Sequence, residues 1–113
     1  MGVVMVANYD DAKLIVELAR WGTEFGVNDA LGELFTEGFD PADTSANMAV
    51  GKVLYYFEVI GTLVKQNVLS RDLVVDVWWI PGIWNQVKAH ALSARADSGE
   101  PRLYENFEAL VAL

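Results

Sequence analysis

The stretch from about Ala42 to Gln66 constrains this chain more than any other. Val50, Val53, Leu54, Tyr55, Tyr56, Phe57, Val59, Ile60, Leu63 and Val64 follow one another closely, and the interior charges are Lys52, Glu58 and Lys65. At helical spacing these apolar side chains occupy nearly every face, which gives a long helix without a polar side. Such a helix must lie at the centre of its fold or be covered by another chain. With 113 residues the chain has the usual size of one domain, and folding should bury roughly 65% of its unfolded surface. We therefore expect a single domain over residues 1–113 built around this helix, with few neighbours to surround it.

The flanking sequence supplies more helices and their ends. Asn8 and Asp11 stand at capping-box spacing, and Leu14, Ile15, Leu18 and Trp21 then share one face of a first helix that Gly22 and Gly26 weaken. A short helix over Val27 to Thr36 should turn Leu31, Leu34 and Phe35 inward and end at Gly38. Asp40-Pro41 reads as the start of the long helix, with Asp40 as N-cap and Pro41 in the first turn. Asn67 suits a left-handed helix end and Ser70 an N-cap, so the next helix should fold back antiparallel as a hairpin. That second arm runs from Arg71 through Val77 to Ile80, is kinked or broken by Pro81-Gly82, and resumes to about Ala94. After a turn at Ser98 to Pro101, a last helix over Arg102 to Val111 carries Leu103, Phe107 and Leu110 on one stripe. No alternating run with hairpin turns appears. The expected fold is all-α: a small bundle of about four to six helices around a central antiparallel helical hairpin.

Charge and residue types exclude several functions. Sixteen acids against eight bases give a net charge of -8, a field that repels phosphate backbones and anionic lipid. Residues 1–45 hold nine of the acids and two of the bases. With no Cys and one His, disulfide frameworks, thiolate nucleophiles and His-rich metal sites are out of reach. The uncharged opening, Met1 to Tyr9, lacks the basic start of a signal peptide. It is expected to pack on the core as a strap or to fray. The longest uncharged run, Val77 to Val87, is too short to span a bilayer and contains Pro81 and Gly82. A cytoplasmic protein without membrane span or nucleic-acid partner is the expectation.

The stretch from Tyr55 to Val74, Trp84, and the closing Gly99 to Leu110 with its Leu-Tyr-Glu-Asn-Phe-Glu run resemble a bacterial family catalogued as domain of unknown function 4760. The resemblance covers roughly the last two thirds of the chain, and the closing run is its most specific part. It implies an all-helical fold and brings no established activity. It also implies that the aromatic-aromatic-Glu element ending at Glu58 and the Tyr-Glu-Asn-Phe element work together despite their separation.

Candidate chemistry is sparse. Glu58 sits on the nearly all-apolar helix, where an unpaired carboxylate is costly. It should be partly buried and hydrogen-bonded to the Leu103 to Glu108 segment, with Tyr104 one candidate partner. Glu105 and Glu108, three apart, would complete a carboxylate set with Glu58, yet the Glu-x-x-His pairs of bundle metal sites are missing. Neither a metal nor another cofactor is expected. His90 has no nucleophile motif beside it, and GxSxG, the P-loop and GxGxxG are absent; it reads as a surface or helix-end histidine. Trp78, Trp79 and Trp84 form a dense aromatic group in which neighbours on a helix point about 100° apart, so Trp78 and Trp79 cannot both face one core.

Two functions follow, with no catalytic residue assigned. The first is a non-enzymatic interaction module that self-associates as a homodimer through Tyr55 to Val64 and Val75 to Trp84. The alternative is a small-molecule binding protein with Trp78, Trp79, Trp84, Tyr55 and Tyr56 lining a pocket and Glu58 anchoring a cationic or amine-bearing ligand. A hydrolase or isomerase using Glu58 with His90 is a third, weaker reading.

Overall fold

A computed structural model gives the fold of residues 8–112, which form six α-helices and, among the described residues, no strand. The helices are α1 (Tyr9–Phe25), α2 (Val27–Leu34), α3 (Met48–Lys65), α4 (Arg71–Val77), α5 (Ile80–Ser98) and α6 (Glu105–Val111). They share one hydrophobic core. The opening run expected as a strap lies, through residue 7, outside the described residues.

Helix α1 starts at the expected capping box. The Asn8 side chain accepts from the Asp11 N–H at 3.0 Å, and the Asp11 carboxylate accepts from the Asn8 N–H at 2.9 Å. Asp11 is only 2% exposed, because its second oxygen accepts from the Ser70 N–H at 3.3 Å and joins the start of α1 to the start of α4. The helix passes through Gly22 and ends at Gly26, which is left-handed (φ 87°). A Cβ on Gly22 would lie 2.9 Å from the Tyr56 hydroxyl, so this glycine makes room for Tyr56 to donate to the Leu18 carbonyl.

Two helix boundaries differ from expectation. Helix α2 stops at Leu34, which leaves Leu34 buried and Phe35 half exposed instead of inward. The long helix begins at Met48, not near Ala42, with Asn47 as its N-cap accepting from the Val50 N–H at 3.1 Å. Asp40 turns its carboxylate onto the Ala42 N–H at 2.9 Å, and Asp43 does the same to Ser45 at 3.0 Å. These local bonds offer the backbone an alternative to a helical turn, and the segment stays a series of turns.

Helix α3 is the hub. Val50, Val53, Leu54, Tyr56, Phe57 and Ile60 are all buried, packed chiefly against α2 and α6 with α5 beyond them. The chain thus covers most of this helix itself, with Met48 and Tyr55 left exposed. Close approach of α6 depends on Gly61, where a Cβ would come within 2.3 Å of the Asn106 carbonyl oxygen. Asn67 has a left-handed backbone (φ 60°) and Ser70 caps α4, both as expected.

The second arm breaks before Pro81 rather than at it. Trp78 and Trp79 leave the helix, Trp78 with extended backbone, and α5 restarts at Ile80 with Pro81 in its first turn, where a missing N–H is harmless. Helix α5 then runs to Ser98, beyond the expected Ala94, and ends on left-handed Gly99. The last helix starts at Glu105, three residues later than expected, after Tyr104 with φ 62°.

Glycine substitutions test this packing. Gly61→Ala should destabilise by about 1–3 kcal/mol, because the obstructing atoms are backbone and overpacking outweighs the gain in helix propensity. Gly32→Ala and Gly51→Ala, both helical with open space at the new Cβ, should stabilise by about 0.4–1 kcal/mol. Urea midpoints of the three variants check the contrast.

Candidate functional site

Glu58 carries the most specific geometry in the molecule. Its carboxylate accepts from the Phe107 N–H at 2.9 Å, the third residue of α6. Helix α6 opens on Tyr104 with no side-chain cap of its own, so α3 supplies from across the core the acceptor that an N-cap residue normally provides. A carboxylate suits the positive end of the helix dipole. Beside it the Asn106 side-chain amide donates to the Thr62 hydroxyl at 3.0 Å, and that hydroxyl donates to the Glu58 carbonyl at 2.8 Å. Arg71 donates to the Leu110 carbonyl and Arg95 to the Leu103 carbonyl, each at 2.7 Å, so the closing segment is held at both ends. The expected partner segment of Glu58 is therefore correct, while the bond goes to the Phe107 backbone.

Tyr55 and Glu58 line one open cleft of about 490 Å³ together with Tyr104, Arg102, Glu105 and Glu100. Tyr55 is 54% exposed there, with its ring 5.8 Å from that of Phe25. The Arg102 guanidinium, hydrogen-bonded to Glu105 at 3.0 Å, holds the Glu105 carboxyl below the usual carboxylate range. Glu58, Glu105 and Glu108 do not gather: Glu105 pairs with Arg102 and Lys65, and Glu108 with Arg95. Among the described residues, no group of three His, Cys, Asp or Glu side chains is placed to hold a metal ion.

The aromatic residues expected to line one pocket are divided among three places. Tyr56 and Trp84 are buried in the core, Trp84 edge-on to Phe107 with centroids 5.0 Å apart. Trp78 is half-buried, edge-on to Tyr56 and Phe57. Trp79 points outward, 69% exposed, stacked on Phe35 with centroids 6.0 Å apart. The two indoles diverge because the chain leaves the helix at these residues; in extended backbone neighbouring side chains take opposite sides. Phe35, which the sequence pattern turned inward, becomes the partner of Trp79. Only the early end of α2 gives it that role.

Trp79 also depends on Gly82. A Cβ on Gly82 would fall 2.4 Å from the indole ring, so the ring lies directly on the first turn of α5. His90 lines a different cleft, of about 200 Å³, with Ser93 and Asp97 of α5 and the Thr44 to Asn47 turns. Its two ring nitrogens are enclosed without a hydrogen-bond partner, unlike the solvated or helix-end histidine expected. Glu58 and His90 line no common cleft, which leaves an acid-base pair without geometry.

Two titrations of stability follow. Glu58→Ala should lose about 1–3 kcal/mol by leaving the Phe107 N–H unsatisfied, and Glu58→Gln, which keeps an acceptor, should lose less; chemical denaturation measures both. Burial pushes the Tyr56 hydroxyl up to about 12 from 10.0. The unfolded chain then releases this proton at lower pH than the native state. Its contribution is whole below pH 10 and is lost as pH rises toward 12, so stability should fall across that window. Absorbance at 295 nm should show a tyrosinate step near pH 12.

No curated protein and no solved structure matches the chain. No helix among the described residues is long and apolar enough to cross a membrane. The family described as Domain of unknown function (DUF4760) matches residues 5–112, nearly the whole length and well beyond the two thirds where the resemblance was first visible. The protein is a member of that family.

Proposed function

We propose that this protein is a non-enzymatic helical interaction module whose contact face is centred on Trp79, Phe35 and Val77. The observation that carries the reading is the Trp79 indole: a large aromatic ring, mostly exposed, seated on Gly82 and stacked on Phe35. Exposed apolar side chains scattered singly need no explanation, whereas neighbouring ones fixed in one orientation resemble the aromatic anchors of interfaces. Val77 adds a third exposed apolar side chain two residues away. The self-association expected from the sequence would bring two copies together at this face. The Tyr55 to Val64 half of the hairpin contributes little to it, since its apolar residues are mostly spent inside the chain.

A second reading draws on the cleft beside α6. Tyr55, Tyr104 and the Glu58 carboxylate there provide two aromatic rings and negative charge, a combination that suits a small amine or guanidine. Chemical-shift titration with such compounds should move Tyr55 and Tyr104; silence at about 100-fold excess would remove this reading.

Trp79→Ser tests the main one. A docking residue contributes little to folding, so the variant should stay within about 1 kcal/mol of the native chain, and any concentration-dependent dimer seen by sedimentation equilibrium should dissociate. A loss above about 2 kcal/mol would make Trp79 a packing residue and end the proposal.

A further inference from the structure

The two segments that carry the Trp79–Phe35 stack are acidic without interruption along the sequence. Residues 21–51 carry Glu24, Asp29, Glu33, Glu37, Asp40 and Asp43 and no Lys, Arg or His; residues 72–87 carry Asp72 and Asp76 and again no base. Glu33 and Glu37 each lie two residues from Phe35, and Asp76 lies three from Trp79. Chain geometry keeps their Cα atoms within about 8 Å and about 11 Å of those aromatics, and all three acids are exposed. The nearby bases are placed elsewhere. Arg71 is committed to the Leu110 carbonyl, Lys88 is about 12 Å along α5 from Ile80, and Lys52 lines a cleft between α2 and α3 that Glu33 also faces, which leaves Glu37 and Asp76 as the acids beside the stack.

We infer that the occupant of this face is a basic amphipathic segment of another protein. The inference rests on the reading of the Trp79 face as a docking surface and names what docks there. Apolar side chains of the segment would cover Trp79, Phe35 and Val77, while its Lys or Arg residues meet Glu37 and Asp76. A guanidinium also fits over the outer face of the indole. A second copy suits the face less well. A two-fold interface presents the same patch on both sides, so these acids would approach their own symmetry mates, and like charges facing each other oppose association.

The test uses the full chain and three amphipathic helical peptides of about 15 residues with the same apolar face and net charges of about +4, 0 and -4. Binding is read by fluorescence anisotropy of labelled peptide, alongside sedimentation of the protein alone. The basic peptide should bind at least about tenfold tighter than the neutral one. Trp79→Ser and, separately, Phe35→Ser should each weaken it about tenfold. The double variant Glu37→Gln, Asp76→Asn should weaken it and flatten its salt dependence. Equal binding of the three peptides overturns the inference, as does basic-peptide binding indifferent to Trp79 and Phe35, which would be diffuse charge attraction. A Trp79-dependent homodimer without preference for the basic peptide overturns the basic occupant and leaves the docking face standing. A monomer that binds none of the peptides overturns both.

Discussion

Helix α6 has seven residues, too few to be stable alone in water, and its N-terminus has no cap from its own sequence. The hydrogen bond from the Phe107 N–H to the Glu58 carboxylate ties that end to α3, and much of the fold follows from this attachment. With α6 seated, Phe107 and Leu110 become fully buried and close the core against Phe57 and Trp84. Gly61 then becomes obligatory, since the two backbones approach too closely for a side chain. The outcome is a helix apolar on nearly every side that a short chain covers for most of its length.

The ends of elements were legible wherever one side chain meets a backbone group a few residues away. The Asn8–Asp11 box, the left-handed Asn67 and the Ser70 cap are such cases, and each is set by local geometry. Glu58 was legible for a different reason: a carboxylate on an apolar helix must find a donor, which pointed to a tertiary partner before the partner atom was known. Asp40-Pro41 misled because an Asx turn and an N-cap share the same residue types, and the true cap, Asn47, stands seven residues later. The outward turn of Phe35 and the divergence of Trp78 from Trp79 depend on where helices stop, which periodicity defines poorly. Whether the apolar helix is central or covered by another chain is not decided by its pattern. The return of α6 and α2 onto α3 rests on long-range contacts that spacing along the chain does not express.

The candidate site divides in the same way. Tyr56, Trp78 and Trp84 are aromatic residues of the core, and their apparent clustering in sequence comes from packing around Phe57 and Phe107. Tyr55 and Glu58 do share a cleft, beside the segment that Glu58 caps. Trp79 stands apart from both because Pro81 confines the start of α5 and Gly82 leaves the ring a flat seat. Core packing and exposed aromatic surface are thus separated along the chain. The α3–α6 pair holds the fold, and the α4–α5 junction carries the exposed Trp79 ring.

Native-state amide hydrogen exchange at Phe107 reads the attachment of α6 most directly. If the Glu58 carboxylate and the α3 contact hold α6 as part of the core, the Phe107 amide should exchange only through global opening, with the same free energy and denaturant dependence as the amides of Phe57 and Ile60. Exchange at Phe107 through a local opening several kcal/mol cheaper, with α3 still protected, would mean that α6 frays independently and would contradict its role in completing the core.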